Sequence, residues 1–173
     1  PLVLPEGLDS IGSDAFYNNF ITEMTIPESV RAIGMSAFYK NQSLKSVTLN
    51  NRMELINESL FNYCKKLAVV HGGNNVKNIA YHAFYGCDSL RSIKDVAPVT
   101  IGGGAFYYCY KLDSINFSRI KSIGYDCFNN CISLKVQLGL IRFYVLHIIL
   151  LIFLFRHLFS LLISLYYFLY NNG

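Results

Sequence analysis

The chain has 173 residues, carries a formal net charge of +4 at pH 7, and is 53% hydrophobic by composition. This length allows one ordinary domain with a sizeable core. Residues 1–135 hold 13 Lys and Arg against 11 Asp and Glu, and the resulting net charge of +2 gives no argument for nucleic acid as a partner.

One pattern recurs six times along the first three quarters of the chain. An Ile lies five residues before each recurring Phe, and a Leu usually lies six residues after it. The recurring Phe residues are 22 or 23 positions apart, at Phe16, Phe38, Phe61, Phe84, Phe106 and Phe128. A period in the low twenties is typical of a solenoid, in which one supersecondary unit stacks on the next.

Within each copy the sequence predicts an extended piece, a short turn and a strand, in that order. In the second copy, "SVRAIG" at 29–34 is extended, and "SAFYKN" at 36–41 forms a helical or 3₁₀ turn that places Phe38 in the core. "LKSVTL" at 44–49 alternates apolar and polar residues, which is typical of a strand with one buried face. We therefore predict six stacked coils of 22–23 residues, with a short parallel β-sheet on one side and helical or 3₁₀ turns on the other.

The combined pattern is Leu-x-x-Val-x-Leu followed by Pro-x-x-Val-x-x-Ile-Gly-x-x-Ala-Phe-x-x-Cys-x-x-Leu. Over about residues 5–135 it resembles the BspA-like class of leucine-rich repeat. The resemblance implies a curved solenoid and a surface protein of bacteria or protists that binds host matrix proteins or other cells, without catalytic residues. The match departs at Pro98, where an apolar residue is usual, and it ends after Leu134, where "KVQL" is out of register. Because the chain begins at Pro1 without Met, we interpret it as a fragment of a longer array.

Several residues have the chemistry of a site but the spacing of the repeat. Four cysteines lie three residues after successive Phe residues, and we predict a ladder of buried, reduced thiols rather than disulfides or a zinc site. They are Cys64, Cys87, Cys109 and Cys131.

The run "IGGGAF" at 101–106 lacks the full spacing of a phosphate-binding loop, so we interpret it as an ordinary repeat turn. His71 and His82 have no nucleophile placed beside them, and we predict no catalytic, cofactor-binding or metal-binding residue.

The outward side chains of the predicted strands form the candidate partner-binding face. Because side chains alternate along a strand, two columns are expected on the exposed side of the sheet. One column is Thr25, Thr48, His71, Lys94 and Asn116, and its neighbour includes Ser46, Ser92 and Ser114. The competing interpretation is a merely solvated sheet. If the partner binds elsewhere, the next candidate is the opposite side, which carries Tyr17, Tyr39, Tyr85 and Tyr107.

Residues 136–173 form a hydrophobic tail that we treat as a second unit, after a solenoid over residues 1–135. Between residues 136 and 170 the only formal charges are Arg142 and Arg156. A helix needs about 20 apolar residues to cross a bilayer, so we predict one transmembrane helix within residues 138–163. Lys135 and Arg142, on the repeat side, favour a cytoplasmic location for the repeats unless a signal peptide exports them. The alternative is a frameshifted or truncated gene end, because the repeat register and the composition change together at Val136.

The sequence thus predicts a non-enzymatic protein-binding module. It would be associated with a membrane, exposed at the cell surface, and used in adhesion or recognition. Its partner would be a host matrix or cell-surface protein, with no cofactor, no nucleic acid and no small-molecule substrate. The alternative is an intracellular repeat scaffold that binds a protein partner, with the tail a membrane anchor or an artefact.

Overall fold

Two strand positions recur along the chain, one before each of the recurring Phe residues and one after the first three of them. The computed structural model describes residues 1–135, which contain strands and turns but no helix. The strands are β1 Ser10–Ile11, β2 Glu23–Thr25, β3 Ala32–Ile33, β4 Ser46–Leu49, β5 Leu55–Ile56, β6 Val69–Gly72, β7 Asn78–Ile79, β8 Thr100–Ile101 and β9 Ser122–Ile123. We number the coils 1 to 6 after the Phe that each contains.

The longer strands form one parallel sheet in the order β2–β4–β6. The register aligns Met24, Val47 and Val70, and these three side chains are buried. Isolated bridges continue the adjacent Ser46 and Val69 column, from Val69 to Ser92 and from Ser92 to Ser114. The predicted parallel sheet along one side of the stack is confirmed, although its regular strands end with β6.

The shorter strands form a second set of parallel ladders, β1–β3 and β5–β7–β8–β9. In most coils the backbone N–H after the Ile donates to the Ile carbonyl of the preceding coil, as from Gly102 to Ile79 at 2.8 Å. The ladder is interrupted between β3 and β5, where Asn57 occupies the position that Gly holds in four coils. There the side-chain Nδ2 of Asn57 donates to the carbonyl of Ile33 at 3.3 Å.

The turn around each Phe is not helical, and the prediction of helical or 3₁₀ turns was wrong. In every coil the residues two before and two after the Phe have φ between 52° and 66°, a left-handed backbone that interrupts any right-handed helix. This geometry turns backbone groups toward the next coil. In coil 2 the N–H groups of Ser36, Phe38 and Lys40 donate to carbonyls of coil 3 at 2.8–3.1 Å. The turns therefore provide a third set of hydrogen bonds between neighbouring coils, in addition to those of the long and the short strands.

The recurring Phe residues form the spine of the core. Neighbouring rings stack with centroids 5.2–5.8 Å apart and planes within 17° of parallel. The four inner rings, Phe38, Phe61, Phe84 and Phe106, are completely buried. Ile, Leu and Ala from the matching columns fill the remaining interior. The predicted burial of Phe84 between Phe61 and Phe106 is confirmed.

The predicted membrane segment at 138–163 lies outside the described residues. Within residues 1–135, no helix has the length and apolar character needed to span a bilayer. The proposed division into a solenoid and a hydrophobic tail at residue 136 stays a prediction.

Candidate binding face

The outward residues of β2, β4 and β6 form a continuous exposed column. The strand register places Thr25 beside Thr48 and Thr48 beside His71. All three are exposed, as are Lys94 and Asn116 in the following coils. We call this surface, together with its neighbouring column, the strand face.

The neighbouring column of the strand face is less accessible than the sequence predicts. Glu23 and Ser114 are exposed, but Ser46 and Val69 are only partly so. Ser92 is buried, with 8% of its surface accessible, so its predicted exposure was wrong. The reason is its position, since Ser92 bridges Val69 in one coil and Ser114 in the next and its side chain is short.

A groove of about 600 Å³ crosses the strand face over coils 3 to 5. It begins where regular strand pairing gives way to isolated bridges. Its polar lining is His71, Arg91, Ser92, Lys94, Asp95, Asp113 and Ser114. The groove thus brings together four of the predicted residues, and it places basic and acidic side chains side by side.

Three residues of this groove were not predicted from the sequence to belong to the binding face. Asp95 fixes the end of β6, because its carboxylate accepts a hydrogen bond from the N–H of Gly72 at 3.0 Å. Arg91 and Asp113 occupy the position directly before the Ser92 and Ser114 column. That position also recurs in each copy of the repeat, so the same periodicity could have predicted it as part of the strand face.

The remaining predicted residues lie farther along the same face. Thr25, Ser46 and Thr48 line a second recess, of about 410 Å³, together with residues of the N-terminal segment such as Glu23. Asn116 is exposed but lines neither recess, and its side-chain oxygen accepts a hydrogen bond from the N–H of Ser118 at 3.0 Å. The strand face is therefore an extended surface with two separate recesses.

The cysteine column belongs to the core. All five cysteines are free. Cys64, Cys87 and Cys109 are buried, as predicted, whereas Cys131 is only partly buried. Four of the thiols donate a hydrogen bond to the carbonyl of the Phe one coil back, at 3.0–3.1 Å. These four are Cys64, Cys87, Cys109 and Cys131. Burial raises the pKa of Cys64 to about 12 and that of Cys131 to about 11. Such thiols stay protonated at neutral pH and are poor nucleophiles and metal ligands.

In the part of the chain that the structure describes, no group of three or more His, Cys, Asp or Glu side chains could hold a metal ion. The glycine run at 102–104 likewise has a packing explanation. A Cβ at Gly104 would lie 2.5 Å from the ring of His82, and one at Gly103 would lie 3.0 Å from the ring of Tyr125. The glycines therefore make room for two rings from the adjacent coils.

The turns around the spine Phe residues carry a continuous row of tyrosines. Tyr17 stacks on Tyr39, and Tyr85 on Tyr107, with centroids 5.2 and 5.3 Å apart. In coil 3 the equivalent position is the buried Asn62, and the next residue, Tyr63, fills the gap between Tyr39 and Tyr85. We call this surface the tyrosine row.

Comparison with known proteins agrees with this architecture. The family model described as BspA type leucine-rich repeat region matches residues 9–135 in six copies. No curated protein matches the chain.

Solved structures provide similar folds. A leucine-rich repeat protein of T. pallidum, TpLRR, is 28% identical with a TM-score of 0.64, and the match covers 73% of this chain and 61% of that one. A leucine-rich repeat protein from Bacteroides ovatus is 28% identical with a TM-score of 0.65, covering 77% and 41%. A leucine rich cell surface protein from Faecalibacterium prausnitzii is 25% identical with a TM-score of 0.60, covering 75% and 42%. The match spans less than two thirds of each of these structures.

Proposed function

Because the chain belongs to the BspA-type leucine-rich repeat family, we propose that it is a non-enzymatic module that binds a protein partner through its strand face. The observation that carries this proposal is the continuity of the exposed column from Thr25 to Asn116 across the coils. A surface of this kind lets each coil add a few contacts to an extended patch.

The groove over coils 3 to 5 supplies the chemistry for recognition. Its basic residues His71, Arg91 and Lys94 lie close to the acidic Asp95 and Asp113. A protein partner carries both signs of charge on its surface, and matching them favours one partner and one orientation over others. The absence of one dominant sign in this groove supports a protein partner rather than a polyanion.

We place the module at a cell surface, where it would act in adhesion or recognition of a host matrix or cell-surface protein. Two observations support this location. The apolar segment at 138–163 has the length of a membrane span. The Faecalibacterium prausnitzii relative is described as a cell surface protein.

The second candidate is an intracellular scaffold that binds a protein partner. The cysteines favour it, because the five in the described residues are free and persistent free thiols are typical of a reducing compartment. Lys135 and Arg142 beside the apolar segment also favour a cytoplasmic location for the repeats. Antibody against the repeats should stain intact, unpermeabilised cells if the module is at the surface. Staining only after permeabilisation would favour the scaffold.

Binding can be tested with the variant His71→Glu/Lys94→Glu of the full chain, applied to a layer of solubilised basement-membrane matrix. We expect the parent chain to bind and the variant to lose at least about tenfold in affinity, because both residues line the groove. Exposed substitutions usually shift stability by less than about 0.5 kcal/mol, so the unfolding midpoint should hardly change.

The matched control is Arg52→Glu/Lys121→Glu, which changes at least as much charge at exposed positions away from the strand face. This control should bind like the parent. If His71→Glu/Lys94→Glu also binds like the parent, the partner uses another surface, and the tyrosine row becomes the candidate.

A further inference from the structure

A groove lined by lysines lies on coils 1 to 3, at the turn between the Phe and the following strand. Its volume is about 320 Å³, and its charged lining is Lys40, Lys65 and Lys66, with no carboxylate. The side-chain amides of Asn18, Asn19 and Gln42 line it as well. We call this site the lysine groove.

The lysine groove has an unbalanced positive charge. The segment 59–87 contains no Asp or Glu, and neither does the segment 40–53. Within residues 1–135 the ion pairs are Arg31 with Asp9 and Lys77 with Glu54, so none of the three groove lysines is paired with a carboxylate. Uncompensated charge of one sign in a cleft concentrates ligands of the opposite sign.

One of the lysines is held in place by aromatic rings. The Nζ of Lys40 lies 5.9 Å from the ring centroid of Tyr17 and 5.4 Å from that of Tyr39. These two rings stack on each other, 5.2 Å apart and within 4° of parallel. A side chain that is already ordered loses less conformational freedom when a ligand binds.

We propose that the lysine groove binds a sulfated polysaccharide. Sulfate groups would pair with the three ammonium groups, while the amides of Asn18, Asn19 and Gln42 would hydrogen-bond to sugar hydroxyls. Phe20, which lines the same groove and is 86% exposed, offers an apolar surface to a sugar ring. This site lies apart from the strand face, so the chain would carry a glycan site in addition to its proposed protein-binding surface.

The aromatic geometry favours a glycan over a single-stranded nucleic acid. Nonspecific binding of single strands depends on bases stacking on exposed aromatic faces. Tyr17 and Tyr39 do not line the groove, and they stack on each other beside Lys40. Among the residues lining the groove, only Phe20 offers a free ring.

The test measures binding of the full chain to a heparin fragment, to the same fragment after desulfation, and to an oligothymidylate of similar charge. In the variant Lys40→Gln/Lys65→Gln/Lys66→Gln we expect roughly tenfold weaker binding to heparin, because three charge pairs are lost. Parent binding should weaken as salt is raised, since exposed charges are screened. The desulfated fragment should bind far more weakly than the sulfated one.

The matched control is Arg52→Gln/Lys111→Gln/Lys121→Gln, which removes three exposed charges elsewhere and should bind heparin within about twofold of the parent. Because Lys40 packs on two rings, Lys65→Gln/Lys66→Gln is a second variant that leaves this packing intact, and it should lose several-fold. His71→Ala/Lys94→Ala should keep heparin binding, which separates this site from the strand face. Equal losses in the groove variants and the control, equal binding of the desulfated fragment, or equal or tighter binding of the oligothymidylate would each overturn the proposal.

Discussion

At the scale of single residues, the position three after the spine Phe has one recurring role in coils 2 to 6. Its side chain donates a hydrogen bond to the carbonyl of the Phe one coil back. In coil 2 the Nδ2 of Asn41 donates to Phe16 at 2.7 Å, and in coil 3 the thiol of Cys64 donates to Phe38 at 3.1 Å. Asn and Cys can therefore replace each other there, because both are small and both carry a donor. In coil 2 the side-chain oxygen of Asn41 is buried without a hydrogen-bond partner, whereas a thiol has no second polar atom that needs one.

The buried thiols make the stability of the chain fall at alkaline pH. Burial raises the pKa of Cys64 from an ordinary value near 9 to about 12. Above pH 9 the unfolded chain loses this proton while the folded chain keeps it, so the free energy of unfolding decreases from pH 9 toward pH 12. One such thiol contributes at most about 1.4 kcal/mol per pH unit.

This is measured by urea unfolding of the parent and of Cys64→Ser at pH 7.5 and pH 10.5. A serine hydroxyl does not titrate in this range, so the variant should lose less stability between the two pH values than the parent loses. Equal alkaline losses in both proteins would show that the Cys64 thiol is not protected in the folded state.

At the scale of the structural element, the turn around each Phe depends on two left-handed residues. Polar residues such as Asp14, Asn18 and Asn130 tolerate this backbone conformation better than most. Coil 4 uses Gly86, with φ of 66°, and a Cβ there would lie 2.9 Å from the ring of Tyr63. The glycine thus allows the tyrosine row to stay continuous where Asn62 interrupts the usual tyrosine position.

Replacing Gly86 by Ala should lower the free energy of unfolding by about 1–3 kcal/mol, from backbone strain together with the displaced Tyr63 ring. The control is Gly12→Ala, because Gly12 has no neighbour within 4 Å of an added Cβ and no left-handed φ. That change should stay within about 0.5 kcal/mol of the parent. Equal effects of the two substitutions in chemical unfolding would argue against the described turn.

In these elements the sequence predicts the core but not the backbone conformation of the turns. The Ile, Phe and Leu columns predicted the stack and its core, since each apolar column must be buried by its neighbours. The turn conformation was missed, because "SAFYKN" contains residues compatible with a helix and periodicity does not distinguish left-handed from right-handed backbone. Asp, Asn and Gly two residues before or after the Phe carried that signal. The groove was only partly predicted, because the loss of regular pairing after β6 depends on contacts between coils.

At the scale of the whole described stack, each coil contacts mainly the coils on either side of it. Hydrogen bonds link neighbouring coils at the long strands, the short strands and the turns. Stability in such an array is approximately a sum of terms for each coil and for each interface. The same arrangement gives the chain long surfaces rather than a single cavity, and the strand face and the lysine groove occupy different parts of them.

One buried spine holds these coils together, and Phe84→Ala in the full chain tests this most directly. Phe84 is completely buried between two stacked rings, so its removal should cost about 3–5 kcal/mol and uncouple the coils on either side. The control is Phe20→Ala, the same substitution at an 86% exposed ring, which should cost less than about 0.5 kcal/mol. Equilibrium unfolding combined with hydrogen exchange should show a large loss for Phe84→Ala, with reduced protection concentrated in coils 3 to 5. A loss below about 1 kcal/mol, or equal losses in the two variants, would contradict the buried spine.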